Sequence, residues 1–367
     1  MTDFDERAFQ LQKGALDCID CGGRMVYDPA RQMLRCPYCG AFKPFDQAAP
    51  TLNEYPLDQP RQSAASWRDR PQAVRCPNCQ SIMVLTGDST VETCPICGKK
   101  SKVWTQEEVP EAPFSLVPFI ITKGEAASVF RKKMRWKLFA PRAFRKAAAD
   151  GSIRGVYATE WTFCCDALID YSAVRLMKKE TQADGNDEET PNALRWTPVR
   201  GSVRHIFEDA LSPSNPSMSL SGILPYSQNK IERYRPELIA GYIVKEPEIT
   251  AEESFGVLKR DLDKKMEELS RSDVCTDASK ARLVSVSSRY DDVRVRPTLL
   301  PVYVFSQLYR NRVRRVLING ETGKFKGDIP TSPLRVLLCA LLVAAILFGA
   351  LEIFLHTGDR TYLFYQF

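Results

Sequence analysis

The sequence predicts two small four-cysteine ribbons, an α+β domain with a mostly antiparallel sheet, and one C-terminal transmembrane helix. Three observations carry this: a four-cysteine pattern that occurs twice, a middle region mixing helical and strand periodicities, and an uncharged apolar run near the end of the chain.

The cysteines come first. Cys18-Ile19-Asp20-Cys21 is followed after fourteen residues by Cys36-Pro37-Tyr38-Cys39. Cys76-Pro77-Asn78-Cys79 is followed at the same spacing by Cys94-Pro95-Ile96-Cys97, a constant offset of 58 residues from the first set. Zn2+ prefers four tetrahedral soft ligands, and two Cys-x-x-Cys knuckles at opposite ends of a short hairpin supply them. Two structural Zn2+ ions are therefore expected. Cys18, Cys21, Cys36 and Cys39 would hold one in a zinc ribbon over residues 1–45. Cys76, Cys79, Cys94 and Cys97 would hold the other in a ribbon over residues 71–105. Gly22, Gly40 and Gly98 follow three of the knuckles, where a positive φ is needed. The expected hairpins pair Met25–Tyr27 with Met33–Arg35, and Ile82–Leu85 with Val91–Thr93. Disulfides or redox dithiols are the competing reading. They call for an export signal or a redox context, and the acidic, polar start Met1–Arg7 offers no apolar signal region. Four filled thiolate positions leave no place for water, so the metal is structural. Cys164, Cys165, Cys275 and Cys339 follow no ligand spacing and read as small hydrophobes.

Residues 46–70, rich in Pro, Gln and Ala, read as a linker. The α+β domain is expected over 110–330. Lys123–Ala149 has helical spacing interrupted at Pro141. Gly155–Arg175 reads as two strands, Lys178–Asn192 as a loop, Arg195–Phe207 as extended and Asp209–Gly222 as irregular. Thr250 and Glu253 form a capping-box pattern ahead of a helix with Phe255, Leu258, Leu262, Met266 and Leu269 on one stripe. Strands resume at Arg282–Val286, Val293–Arg296 and Leu300–Phe305, and Pro301–Leu308 pairs with Val313–Ile318 before a turn at Asn319-Gly320.

Residues 334–355 predict the transmembrane helix, with only Arg335 and Glu352 charged, near its ends; a bilayer core takes about 20 helical residues. Arg310, Arg312, Arg314, Arg315, Lys324, Lys326 and Arg335 precede it, whereas Arg360 follows. The positive-inside rule then places the N-terminal bulk in the cytoplasm, in a single-pass, C-terminally anchored protein; the resemblance given below implies that the membrane is the bacterial inner membrane. The short tail, 356–367, carries Tyr362, Phe364, Tyr365 and Phe367 as an interfacial anchor.

Several function classes lose ground at this level. His205 and His356 are the only histidines, and no familiar catalytic motif occurs. Gly320-Glu321-Thr322-Gly323-Lys324 lacks the spacing of a P-loop and reads as a hairpin turn. Cys164 and Cys165 with His205 could supply a nucleophile and base, but adjacent strand residues face opposite sides. No enzyme and no small-molecule substrate are expected. Nucleic-acid binding is the alternative, carried by Arg68, Arg70, Arg75, Lys99, Lys100 and Lys102 around the second ribbon. The net charge of +6 is modest for this length and does not by itself imply it.

Two paired ribbons at the start, then Leu300-Pro301-Val302-Tyr303-Val304 and Val316-Leu317-Ile318-Asn319-Gly320-Glu321-Thr322-Gly323-Lys324-Phe325 running towards an apolar helix, form a distinctive combination. It resembles the bacterial membrane-anchored double zinc-ribbon proteins, often labelled transcription-factor-B-type or primosomal-helicase-like, whose genes sit beside SPFH-domain and phage-shock-type proteins. Gly155-Val156-Tyr157…Glu160-Trp161 and Leu238-Ile239-Ala240-Gly241-Tyr242 add to the resemblance. Ala158-Thr159-Glu160 departs from the Pro-Phe-Trp-like sequence expected there. The resemblance implies a membrane-tethered adaptor or scaffold with an SPFH-domain or phage-shock-type protein partner, acting in envelope stress.

Overall fold

The computed structural model describes residues 16–45, 54–59, 67, 71–85, 92–101, 104–137, 139–149, 153–178, 194–275, 280–310 and 312–361. Most of the expected linker, the loop after Lys178, the turn between Leu85 and Glu92, and the last six residues of the tail lie outside them. So do Arg68, Arg70 and Lys102 of the basic flank.

The strands of the described residues fall into a three-stranded and a twelve-stranded sheet. The small one is the first ribbon, with β1 (Val26–Asp28), β2 (Met33–Arg35) and β3 (Phe42–Lys43) antiparallel in that order and Tyr27 opposite Leu34. The expected hairpin forms there, one residue later on its first strand. Its turn is closed by the Asp28 carboxylate, which accepts from the Ala30 amide at 2.9 Å.

The large sheet is mostly antiparallel and built on three long strands: β9 (Arg154–Lys178), β10 (Leu194–Ser212) and β13 (Lys280–Tyr309). At about 3.3 Å per residue, β13 spans roughly 100 Å. The sequence pointed to two strands within Gly155–Arg175 and three within Arg282–Phe305; each set is one strand. The physical reason is that the side-chain alternation never lapses. Phe163, Cys165, Ala167, Ile169, Tyr171 and Ala173 are all buried on one face of β9. In β13 the first gap seen in the sequence, 287–292, contains the start of a register shift at Asp291/Arg294 that does not end the ladder, and the second, 297–299, pairs with Thr159–Trp161 in unbroken register.

That face of β9 is covered by a helix, here α3 (Ala251–Val274), which buries Leu258, Leu262, Met266 and Val274. Its start is the capping box that the sequence announces: Thr250 accepts from the Glu253 amide, and the Glu253 carboxylate accepts from the Thr250 amide. Earlier in the chain lie α1 (Lys123–Arg135) and α2 (Arg142–Ala149), separated at Pro141 as expected, and a single helical turn at Pro236–Ile239. Proline cannot donate to the helical ladder, so the run breaks there. α1 buries Phe130 and Met134 against Phe144, Phe305 and Phe325.

The second ribbon belongs to the large sheet. β5 (Gln72–Arg75) pairs with β6 (Ile82–Leu85), and β6 pairs with β12 (Ile243–Lys245), itself parallel to β9. Ile82–Leu85 therefore takes Gln72–Arg75 as its partner where Val91–Thr93 was expected. The Cys76–Cys79 knuckle is the turn that joins them. Sheet pairing and an apolar cluster run across residues 105–110. The linker is likewise docked where it is described: Tyr55–Pro56, β4, pairs with Arg294–Val295, and the Trp67 indole donates to the Pro110 carbonyl at 2.6 Å.

The expected hairpin of β13 with β14 (Arg312–Asn319) forms, with Tyr303 opposite Ile318. Asn319-Gly320 opens the following turn. The Asn319 carboxamide oxygen accepts from the Glu321 and Thr322 amides at 2.8 and 2.9 Å, and Gly323 has φ 73°. A β-carbon on Gly320 would lie 2.6 Å from the Phe119 ring, so glycine is required by close approach. After this turn the chain enters α4 (Pro333–Thr361), whose segment Pro333–Ile353 has a mean hydropathy of 2.7 and is 0% buried.

Candidate metal centres

Each knuckle is the same hydrogen-bonded ring, built four times. The amide of the first cysteine donates to the carbonyl five residues on, and the amide four residues on donates back to that cysteine. The pairs are Cys18–Gly23 and Gly22–Cys18, Cys36–Ala41 and Gly40–Cys36, Cys76–Ser81 and Gln80–Cys76, and Cys94–Lys99 and Gly98–Cys94, all between 2.8 and 3.1 Å. The ring needs a left-handed residue at its fourth step. Gly22, Gly40 and Gly98 take it with φ 71°, 79° and 70°, as their positions in the sequence imply, and Gln80 takes it with φ 59°.

The rings bring the cysteines into two groups of four, with all four sulfurs of a group within 4.8 Å of one another. In the first, the Cys18–Cys39 and Cys21–Cys36 sulfurs are 3.5 Å apart. In the second, Cys76–Cys97 and Cys79–Cys94 are both 3.8 Å apart. A tetrahedral ion with metal–sulfur bonds of about 2.3 Å sets its sulfurs about 3.8 Å apart. A disulfide needs about 2.05 Å, and all eight are free cysteines. The donor set fits a metal ion and excludes the disulfide reading in this structure.

Charge argues the same way. In the second group, hydrogen bonds from Cys94 and then Cys97 push the Cys79 thiol strongly down. Cys94, whose thiol donates a hydrogen bond to Cys79, is pushed strongly up. In the first group the Cys39 backbone amide, followed by that of Tyr38, helps bring Cys36 down to about 6. Four thiolates this close repel, and a divalent cation is what lets all four ionise together.

The two centres differ in setting. In the first, Cys18 and Cys36 are buried while Cys21 and Cys39 are exposed, and its small core is completed by Leu16, Met25, Leu34 and Ala240. In the second, Cys76, Cys94 and Cys97 lie in one apolar cluster with Val156, Ala158, Val302, Val304 and Leu317 of the long strands.

Two polar clusters had no signal in the sequence. Glu54, Cys164 and Asp209 converge, with the Cys164 thiol donating to Glu54 at 3.1 Å. The buried Arg296 guanidinium bonds Glu54 at 2.5 Å and also bonds Asp209. A cation of the protein's own therefore neutralises the two carboxylates. Nearby, fully buried Lys245 bonds Asn215 and pairs with Glu248 at 2.9 Å; Asn215 in turn bonds buried Glu160 at 3.2 Å. Burial raises the Glu160 pKa and lowers that of Lys245. Contacts such as Arg296 to Glu54, 242 positions apart, leave no local pattern to read. Cys164 and His205 do not meet as nucleophile and base: His205 sits opposite Ala167, on the face that carries Cys165, and Cys164 points the other way. Gly320–Lys324 is a hairpin turn, as its spacing implies.

No family model matches the sequence, and no solved structure matches the fold. The chain is similar to a protein of Bacillus subtilis (strain 168), "Uncharacterized protein YdjG", at 26% identity over 314 residues, covering 70% of this chain and 90% of the relative.

Proposed function

We propose that each cysteine quartet holds one structural Zn2+, and that α4 anchors the chain in a bacterial inner membrane with its bulk in the cytoplasm. The protein then acts as an adaptor, holding a protein partner at the membrane without turnover of its own. The observation that carries this reading is α4: its apolar segment Pro333–Ile353 leaves a packed sheet domain and has none of its apolar side chains buried. Exposing that much apolar surface to water is costly, and a bilayer removes it. Zinc is the ion favoured by four thiolates in tetrahedral array with no open position. The resemblance drawn above makes an SPFH-domain or phage-shock-type protein the first partner to test.

The competing reading is nucleic-acid binding by the basic flank of the second ribbon. It has less support, because Arg75 there is held bidentately by Glu107 at 2.6 and 3.1 Å and Lys99 by Asn78. Deleting residues 333–367 tests the adaptor reading. The truncated chain should be soluble and zinc-loaded, and the partner should leave the membrane fraction. A partner whose location does not change would sink it. Salt-sensitive retention of duplex DNA by the truncated chain would favour the competitor.

A further inference from the structure

The fold carries a basic, aromatic turn to the foot of the apolar helix. α1 ends at Arg135, α2 begins at Arg142, and the turn between them is tied to the first residues of α4. The Ser332 amide donates to the Phe139 carbonyl at 2.8 Å, and Arg335 Nη1 donates to the Ala140 carbonyl at 2.5 Å, across 195 positions of sequence. Beside these bonds Trp136 is 74% exposed and Phe139 38%. Lys132, Lys133, Arg135 and Lys137 are exposed too, and no acidic residue occurs between Ala126 and Ala149.

This composition has a physical preference. Tryptophan settles at the boundary between apolar chains and headgroups, and clustered Lys and Arg are drawn to anionic lipid. Phe130 and Met134 point into the core, which fixes α1 and turns its cationic face outward. The Arg135 guanidinium lies over the Trp136 ring, 5.9 Å from its centroid, so charge and aromatic surface are presented together.

We propose that the turn between α1 and α2 is a second membrane contact, seated on the headgroups of an anionic phospholipid leaflet where α4 enters it. The contact rests on α4 spanning the bilayer. It would fix the tilt of the sheet domain, and hence which face of the ribbons a partner meets.

The test uses the full chain in nanodiscs of brominated phosphatidylcholine, with or without phosphatidylglycerol, as wild type and as Trp136→Phe. Lipid quenching present in the wild type and missing in Trp136→Phe reports Trp136 alone. It should appear in the anionic discs, weaken in neutral ones and fall with added salt. Lys132→Glu/Lys133→Glu/Lys137→Glu should lose most of it while keeping the wild-type metal content and melting temperature. If that variant does not fold, the comparison of wild type with Trp136→Phe still decides. Equal quenching of wild type and Trp136→Phe in protein that has entered the discs overturns the proposal. So does quenching that is identical in neutral and anionic discs, or shielding of Trp136 by duplex DNA in place of lipid. Failure to enter the discs at all would instead overturn the membrane-spanning reading on which the contact rests.

Discussion

Arg315 donates from Nε to the carbonyl oxygen of Ile96 at 2.6 Å. The bond ties β14 to the turn between Cys94 and Cys97, and the Ser306 hydroxyl of β13 reinforces it, 2.8 Å from the Pro95 carbonyl. The second metal centre is thus part of the wall of the sheet domain. The first packs on the domain through side chains and one backbone bond: the Tyr27 amide donates to the Ala240 carbonyl at 3.0 Å, and the Tyr27 hydroxyl and the Gln32 carboxamide donate to the Phe119 carbonyl at 3.3 and 3.1 Å.

Loss of the two centres should therefore have unequal effects. Cys36→Ser and Cys94→Ser should each lower zinc from two ions per chain to one, by elemental analysis. A structural zinc contributes on the order of 10 kcal/mol to its fold. With Cys36→Ser, faster hydrogen exchange should stay within residues 16–45 and the two segments they touch, around Phe119 and Ala240. With Cys94→Ser it should spread into β9, β13 and β14. Equal spread in both variants would contradict the assignment of the second ribbon to the sheet.

The left-handed positions of the knuckles separate backbone strain from crowding. Gly40→Ala meets nothing within 4 Å, so it should cost only the left-handed conformation, about 1–2 kcal/mol. Gly98→Ala adds a β-carbon 2.5 Å from the Ser306 carbonyl oxygen and should cost about 1–3 kcal/mol more. Gln80→Gly should stabilise, because it relieves the same conformation at φ 59°. Denaturant midpoints check all three.

Arg296→Met should leave Glu54 and Asp209 half-buried with their shared partner removed. The expected loss is about 3–5 kcal/mol; the wild type should hold two zinc ions per chain and not three, since Arg296 already serves as the cation of that cluster. A third zinc in the wild type would show that the guanidinium does not fill that place.

Lys245→Met should destabilise by a similar amount at neutral pH, because Glu248 and Asn215 lose their buried partner. Burial holds the Lys245 pKa below its ordinary 10.5, so the unfolded chain binds the proton more tightly than the folded one. Wild-type stability should on that account rise with pH between the folded value and 10.5, and Lys245→Met should lack the rise. Parallel curves of stability against pH for the two proteins would refute this.

The features legible in the sequence are those made by neighbours in the chain. The Thr250–Glu253 box, the break at Pro141, the four knuckles and the apolar run of α4 each depend on residues within a few positions of one another. Their physics is local: capping, a missing amide, a left-handed turn and hydropathy.

Partnership between distant segments needed the fold. Strand ends were misplaced within β13 where a bulge, as at Asp291/Arg294, and a loop give similar breaks in a short window, and only the facing strand distinguishes them. The second ribbon looked detached because its pattern is self-contained, yet β6 finds its neighbour in β12 and its core among Val156, Val302 and Leu317. By itself the sequence determined which cysteines could share an ion and which helix is too apolar for water. The tertiary structure decided what those pieces are joined to, because burial and buried charge pairing are settled by surfaces that meet only after the chain has folded.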